Sequence, residues 1–299
     1  PSLVIFVKYE FWYYYLKKVK YRNIPIILVS ALFQEKSNFF KRYGSVSRKM
    51  LSRFNQLFVQ DVHSKTLLKN IGVEDITQVS GDTRFDRVVE IADVAPHNEK
   101  LAAFTKGRKL IVAGSTWEPD ELILQKTFVQ LSSQEFAMVI APHEIHESHL
   151  QSIEGKFQNS CRYSTFSPLS NNAVFDCLII DNIGLLSQLY KFAWVCHIGG
   201  GYGKGIHNTL EAAVYGKPIS IGPVHTKFRE ALELIAVKGA YCVQNDQELL
   251  ALLNSFIQDE KLYNASAEAS KLYVRSRVGA TEKIMNYIHT NRLLTKLSN

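Results

Sequence analysis

Short apolar runs alternate with longer amphipathic segments along almost the whole of this 299-residue chain. Runs of this length are typical of strands buried in a sheet, and the amphipathic segments between them predict helices. The apolar runs lie at residues 3–7, 26–29, 57–59, 110–113, 137–141, 177–180, 194–198, 219–221 and 240–243. Strands that alternate with helices build parallel sheets, so we predict an α/β fold with Rossmann-like, doubly wound domains.

The length of the chain suggests about two domains. Residues 90–107 are polar and contain Pro96, so we predict a first domain at 1–95 and a second domain at 96–299. The last helix could pack back on the first domain. Because the chain starts without Met and directly in an apolar run, we expect the first domain to be truncated.

A formal net charge of +7 favours anionic partners. Four basic residues cluster at Lys17, Lys18, Lys20 and Arg22, as either a solvated helix face or a surface for anionic lipid. No recognisable nucleic-acid motif accompanies them, so we do not expect a nucleic-acid partner. No apolar run reaches the roughly 18 residues of a membrane-spanning helix.

A glycine-rich segment at residues 197–218 has the order strand, loop, helix, turn and strand. The five glycines of its loop, at 199, 200, 201, 203 and 205, would let the backbone approach a ligand closely. A helix opening near Asn208 would offer free N–H groups to a phosphate or carboxylate. The segment lacks the acidic residue of a dinucleotide fingerprint and the ending of a Walker loop.

Asn208 and Glu211 have the Asn-x-x-Glu spacing of a helix-capping box. In that case Asn208 caps the helix and Glu211 reaches back to it. Alternatively, the Glu211 carboxylate points into a cleft and accepts hydrogen bonds from both hydroxyls of a ribose. The spacing allows both interpretations.

Polar residues also follow two other predicted strands. Ser115 and Thr116 could contact a phosphate or simply cap a helix. Pro142 and His143 could line a pocket edge. The histidines at 143, 146 and 149 do not have zinc-protease spacing, and neither a C-x-x-C pair nor an Asp-x-Asp motif occurs. We therefore expect neither a metal nor another cofactor.

Two charged residues of the first half are candidates for a cleft. Glu10 lies at the carboxyl end of the first predicted strand, and Arg84 lies in a polar, glycine-led turn near the domain junction. The alternatives are a surface carboxylate beside Lys8 and a salt bridge from Arg84 to Asp82 or Asp86.

Five of these segments, taken in order, resemble segments of the 3-deoxy-D-manno-octulosonic acid (Kdo) transferases of lipopolysaccharide assembly. They are Glu10-Phe-Trp12, Gly81-Asp-Thr-Arg-Phe-Asp86, Ala113-Gly-Ser-Thr-Trp-Glu118, Gly199-Gly200 with His207-Asn-Thr-Leu-Glu211, and Gly222-Pro-Val-His-Thr-Lys-Phe228. The resemblance extends in order over nearly the whole chain. It departs from the family pattern at Arg84, His143, Thr209 and Lys227, where the family usually has Lys, Arg, Pro and Asn.

The resemblance implies a GT-B fold, CMP-Kdo as donor, a lipid A precursor as acceptor and inverting transfer at the cytoplasmic face of the inner membrane. It implies that Glu10 and Arg84 stabilise the transition state. Together with the strand-end residues above, the candidate donor-binding set is Ser115, Thr116, Pro142, His143, Gly184, Leu185, Leu186, Gly199, Gly200, Gly205, His207, Asn208, Thr209, Leu210 and Glu211.

The family's general base is a glutamate in a glycine-rich loop that follows a membrane anchor, and we expect both to lie outside this chain. The chain alone would then bind CMP without transferring Kdo. Two other interpretations are a different GT-B enzyme, such as a UDP-sugar transferase or epimerase, and a non-catalytic module that binds nucleotide or a lipid surface.

Overall fold

The computed structural model describes residues 1–168 and 174–294. The chain divides into two compact units, Pro1–Arg87 with Arg277–Asn299, and Val88–Ser276. The division falls inside a helix, Thr83–Val94, and not at the expected position between 95 and 96. The polar stretch around Pro96 follows the end of this helix, so its composition reflects a helix end. Residues 277–294, assigned by the sequence to the second domain, are part of the first unit. The last helix packs on the sheet of that unit, as the sequence analysis had allowed.

The first unit contains a parallel sheet of four strands in the order β1-β2-β3-β4. The strands are β1 Val4–Val7, β2 Ile26–Ala31, β3 Gln56–Val59 and β4 Thr77–Val79. The helices of this unit are α1 Tyr13–Tyr21, α2 Ser45–Leu51, α3 Val62–Lys69, the start of α4 Thr83–Val94, and α13 Ala280–Thr290. Strand β4 was missed because Thr77-Gln-Val79 is short and only partly apolar.

Both faces of this sheet are covered, which explains the unbroken apolar runs of its strands. Leu28 of β2 packs on one face in a core that includes Leu16 of α1. Ile27 points to the other face, where it packs with Ile284 and Ile288 of α13. Because neighbouring residues of a strand point to opposite faces, the run needs an apolar residue at every position.

The second unit contains a parallel sheet of seven strands in the order β11-β10-β9-β5-β6-β8-β7. The strands are β5 Lys109–Thr116, β6 Phe136–Pro142, β7 Ser160–Arg162, β8 Cys177–Ile179, β9 Val195–Ile198, β10 Ile219–Ile221 and β11 Ala240–Cys242. All six predicted strands are present. The edge strand β7 was missed because its three residues are only partly apolar.

In the described residues, helices follow each of these strands except β7, as is usual between parallel strands. They are α5 Glu99–Thr105, α6 Glu118–Phe128, α7 Glu147–Lys156, α8 Leu186–Leu189, α9 Leu210–Ala213, α10 Arg229–Ala236, α11 Asp246–Gln258 and α12 Glu260–Arg275. Across the described parts of both units, no helix combines the length and apolarity of a membrane span.

The strand order identifies one special position in the second sheet. After β5 the chain proceeds outward through β6, whereas β9 returns to the opposite side of β5 before the chain proceeds to β10 and β11. The connections after β5 and β9 therefore leave the sheet in opposite directions. The crevice at the carboxyl ends of such a strand pair is the usual ligand site of an open α/β sheet.

Candidate functional site

The loops that follow β5 and β9 pack directly against each other at this crevice. A Cβ atom on Gly199 would overlap the carbonyl oxygen of Ser115 and would lie 2.6 Å from the Cα of Thr116. A Cβ atom on Gly201 would lie 2.6 Å from the Cα of Gly222, in the loop after β10. We expected these glycines to open the backbone to a ligand. At Gly199 and Gly201 protein backbone occupies the space that a side chain would need, so the packing of the loops by itself requires glycine there.

Two other glycines of the loop shape its turn. Gly200 has a φ of 89° and Gly205 has a φ of 131°, and residues with a Cβ atom rarely adopt these backbone conformations. The N–H of Gly205 donates to the carbonyl of Gly200, and the N–H of His207 donates to that of Gly199. These bonds close the loop and return the chain to the crevice at His207.

Ser115 and Thr116 end β5 in different environments. Ser115 has a φ of 54°, a left-handed conformation that is uncommon for a residue other than glycine. Thr116 is fully buried, and its hydroxyl donates to the carboxylate of Glu121 over 3.1 Å. The carbonyl of Thr116 accepts the N–H of His143 over 2.9 Å, which joins the ends of β5 and β6. The Thr116 side chain thus has a structural partner.

Three rings stack beside these loops. The ring of His143 lies 4.7 Å from that of Trp117 and 4.4 Å from that of His207, in both cases nearly parallel. The indole N–H of Trp117 also donates to Nε2 of His207 over 3.3 Å. A neutral His207 ring that accepts on Nε2 carries its proton on Nδ1. His143 is exposed, so its edge faces solvent at the crevice.

Burial lowers the pKa of His207, and the neighbouring His143 lowers it further, while Asp120 opposes the shift. The neutral form of His207 is therefore favoured, in agreement with its role as acceptor from Trp117.

The loop continues into α9, which begins later than predicted. The helix spans Leu210–Ala213 and does not open at Asn208. The side-chain oxygen of Asn208 accepts the N–H of Leu210 over 3.2 Å, a local turn that delays the helix. The amide of Asn208 donates to Glu211 Oε1 over 2.9 Å. Glu211 thus accepts from the side chain of Asn208. A capping box would require Glu211 to accept the backbone N–H of Asn208, and the described residues show no such bond.

Residues around α9 are deeply packed. Thr209 and Leu210 are fully buried, and the Thr209 hydroxyl has no hydrogen-bond partner among the described residues. Burial raises the pKa of Tyr215, and the charge of the nearby Glu211 raises it further. Glu211 itself is half-buried.

The predicted donor residues at 184–186 lie after β8. Gly184 has a φ of 94° and is exposed, and Leu185 precedes the short helix α8. The Leu186 side chain packs against Gly114 of β5. A Cβ atom added to Gly114 would lie 2.6 Å from Cδ1 of Leu186. The structure therefore brings Leu186 to the same end of the sheet as Ser115 and His143.

Sequence reasoning missed two buried residues of this crevice, Asp120 and His197. One oxygen of the Asp120 carboxylate accepts the N–H of Trp117 over 2.8 Å and that of Gly200 over 3.0 Å. It thereby ties the β5 loop to the β9 loop. An acidic residue at the third position of the predicted helix α6 was the available signal, because such residues commonly accept backbone N–H bonds at helix starts.

The two candidates of the first unit have local partners. The indole N–H of Trp12 donates to the carboxylate of Glu10, which is exposed. The guanidinium of Arg84 lies 2.9 Å from the buried carboxylate of Asp82, so the salt bridge considered from the sequence is present. Both contacts lie within the first unit.

Within residues 1–168 and 174–294, no group of three or more His, Cys, Asp or Glu side chains is arranged to hold a metal ion. His149, one of the three spaced histidines, bonds the buried Glu121 carboxylate over 2.9 Å instead. His143 is part of the ring stack.

In comparisons with known proteins, this chain is similar to proteins of one family. Residues 1–87 match the family described as 3-deoxy-D-manno-octulosonic-acid transferase (kdotransferase). The 3-deoxy-D-manno-octulosonic acid transferase of Chlamydia muridarum is 25% identical over 92% of this chain, which covers 65% of that protein. The protein of the same name from Aquifex aeolicus is 24% identical over 87% of this chain and 67% of its own length.

Solved structures show the fold. The C-terminal CMP-Kdo binding domain of WaaA from Acinetobacter baumannii matches 63% of this chain and 98% of its own, with a TM-score of 0.52 and 18% identity. The UDP-GlcNAc 2-epimerase of Neisseria meningitidis, bound to UDP-GlcNAc, matches 97% of this chain and 76% of its own, with a TM-score of 0.66 and 16% identity. In sequence the chain is similar to the Kdo transferases, and it spans about two thirds of the two described above. Its fold is GT-B.

Proposed function

We propose that this relative of the Kdo transferases acts in the transfer of Kdo from CMP-Kdo to a lipid A precursor. The observation that carries the proposal is sequence similarity to named Kdo transferases over 92% and 87% of the chain, which includes residues of both units. The CMP-Kdo binding domain among the structural neighbours supports the same donor. That neighbour has the fold of this chain at low identity, so the donor is part of the proposal.

The crevice between the β5 and β9 loops offers the chemistry that a nucleotide needs. The exposed edge of His143 and the neutral ring of His207 provide stacking and hydrogen-bonding groups beside the loops. The half-buried carboxylate of Glu211 can accept from two ribose hydroxyls. In this proposal the donor's nucleotide lies along His143, His207 and Glu211.

The reaction we propose is inverting. The sugar centre becomes oxocarbenium-like as CMP departs, so the leaving phosphate needs donors and positive charge already in place. We assign this stabilising role to Arg84, with Glu10 stabilising the sugar centre, on the basis of their match to family positions. The structural partners of these residues, Asp82 and Trp12, would hold both side chains in defined orientations.

An anionic membrane surface is the proposed setting, at the cytoplasmic face of the inner membrane. Helix α1 exposes Tyr14 by 83% and Tyr21 by 88%. Between them the same helix exposes Lys17, Lys18 and Lys20. Aromatic rings with nearby cationic side chains suit the interface of an anionic bilayer, where the acceptor lipid would be found.

Nucleotide competition tests this function on the full chain. Titration calorimetry with CMP, UDP and CMP-Kdo should show that CMP binds more tightly than UDP and that UDP does not displace CMP-Kdo at equal concentration. Tighter binding of UDP would favour a UDP-sugar enzyme and reject the Kdo proposal. Because the catalytic base is expected outside these residues, a transfer assay with CMP-Kdo and a lipid A precursor is run on this chain and on a version extended upstream of Pro1. The anomeric configuration of the product formed by the extended version then tests the acceptor and the inversion.

A further inference from the structure

A buried triad of polar side chains lies beneath the crevice and is not used by the proposed reaction. Asp120, His197 and Ser220 come from helix α6 and from strands β9 and β10, and each is at most 1% exposed. His197 Nδ1 lies 3.0 Å from the hydroxyl of Ser220, and His197 Nε2 lies 3.6 Å from Asp120 Oδ1. Buried polar groups of this kind are costly unless they are paired.

Two of these atoms lack any other partner. Asp120 Oδ1 and His197 Nε2 form no hydrogen bond with another group in the described parts of the chain, and both are inaccessible to solvent. They face each other within ion-pair range. The second oxygen of the same carboxylate is fully used, because it accepts the N–H groups of Trp117 and Gly200.

The hydrogen count at His197 requires a proton between Nε2 and Asp120 Oδ1. The Ser220 hydroxyl has one hydrogen, which it can donate to the Cys196 carbonyl at 3.3 Å or to His197 Nδ1 at 3.0 Å. If the hydroxyl donates to the Cys196 carbonyl, His197 Nδ1 is a donor to the hydroxyl oxygen. Nε2 must then be protonated as well to avoid repulsion between its lone pair and the carboxylate. In the second case a neutral ring carries its proton on Nε2. Without that proton, two buried lone pairs would oppose each other.

We propose that Asp120 and His197 are positioning residues of the donor site, joined by a proton on His197 Nε2. Two backbone N–H groups donate to the Asp120 carboxylate and favour its charged form, so the proton is assigned to the ring. The pairing anchors one carboxylate oxygen at His197 and aims the other at the N–H groups of Trp117 and Gly200.

The consequence reaches the ring stack at the crevice surface. Holding Gly200 keeps the β9 loop against the end of β5, where Gly199 has no space for a side chain. The loop then returns through His207, whose N–H donates to the Gly199 carbonyl and whose ring accepts from Trp117. A buried pair thereby determines the position of two rings proposed to meet the nucleotide, so this inference rests on the proposed function.

Two substitutions of Asp120 separate positioning from charge. In Asp120→Asn the amide oxygen can accept both backbone N–H groups while the amide nitrogen donates to His197 Nε2. Asp120→Ala has neither contact. By calorimetry on the full chain, we expect Asp120→Ala to bind CMP about tenfold more weakly and Asp120→Asn to remain within about threefold of the unchanged chain. Equal binding by Asp120→Ala, or equal losses in both variants, would overturn the positioning role.

The protonation of His197 gives a second measurement that needs no nucleotide. Imidazole nitrogen NMR of the unchanged chain should show Nε2 bonded to a slowly exchanging proton, and Asp120→Asn should convert Nε2 to an unprotonated acceptor. An unprotonated Nε2 in the unchanged chain at neutral pH would reject the inference even if Asp120→Ala did not fold. Failure of the unchanged chain to bind CMP would instead reject the proposed function and leave the NMR result to decide the pairing.

Discussion

The indole N–H of Trp117 donates to Nε2 of His207, although the two residues are 90 positions apart in the chain. The ring of His143, from a third loop, stacks on both. Three strand ends thus contribute to one ring cluster at the position where the strand order reverses. This is where an open parallel sheet usually binds its ligands, and the cluster is the surface that meets the nucleotide in the proposed function.

The lowered pKa of His207 predicts a pH dependence of stability. Because the unfolded chain binds this proton more readily, the free energy of unfolding should fall as the pH drops below the ordinary histidine value of about 6.5 and should be fully regained above it. His207→Gln should reduce that slope between pH 5 and 7 in thermal or urea unfolding. His63→Gln, a change at an exposed histidine of α3, is the matched control. An unaltered slope in His207→Gln would contradict the assignment.

The packing of the two crevice loops predicts a large difference between neighbouring glycines. Gly199→Ala should destabilise the fold by about 1–3 kcal/mol, because its Cβ would overlap the Ser115 carbonyl and the backbone would have to shift. Gly203→Ala is the control, since its Cβ would meet only the Gly200 carbonyl at an ordinary 3.8 Å. Urea unfolding should show a change within about 1 kcal/mol for the control. Similar losses of stability in both variants would mean that the contact between Gly199 and Ser115 is not the reason for glycine at position 199.

Glu211 should contribute to nucleotide binding more than to stability. Glu211→Gln should weaken CMP binding by about 1–3 kcal/mol, the cost of losing hydrogen bonds to a charged group. The melting temperature should change little, because glutamine can still accept from the Asn208 amide. Calorimetry and thermal unfolding of the variant measure both effects. Glu268→Gln, an exposed change on α12, is the comparison.

The alternative outcome for Glu211 is equally specific. Unchanged CMP affinity with a lower melting temperature would assign the residue to local structure around α9. That result would remove the ribose contact from the proposed donor site.

The basic face of α1 should govern attachment to anionic lipid. A triple change of Lys17, Lys18 and Lys20 to Gln should weaken binding to vesicles rich in phosphatidylglycerol by about 1 kcal/mol per residue, because each charge near the surface contributes about that much. Co-sedimentation at low and moderate salt measures it. A triple change of the exposed Lys126, Lys261 and Lys271 in the second unit keeps the same net charge as the first variant. Equal losses in the two variants would show that only total charge matters.

The fold class was predictable because its causes are local. Val29 and Ile140 lie in apolar runs that are buried on both faces of a parallel sheet, and this burial imposes an unbroken apolar pattern on the sequence itself. Short or polar elements left no such mark. The edge strands Thr77–Val79 and Ser160–Arg162 were missed, and the segment around Pro96 suggested a domain boundary where a helix ends.

The candidate site was predictable in part, because strand ends are visible in the sequence. Ser115 and His143 follow apolar runs, so their place at the carboxyl edge of a parallel sheet follows from their position in the sequence. The residues that they contact could not be predicted in this way. The strand order was needed to place Gly199 against Ser115 and His207 against Trp117.

The sequence by itself determined most of the strands, the glycine loop and the resemblance to the Kdo transferases, since each depends on segments of residues close together in the chain. Only the tertiary structure decided what those residues do to one another. Asp120 and Gly200 are 80 positions apart and meet because β9 lies beside β5 in the sheet. That adjacency fills the space beside Gly199 with backbone and brings Asp120 to His197. Long-range pairing of this kind depends on the order of strands, which a local pattern of apolar residues does not encode.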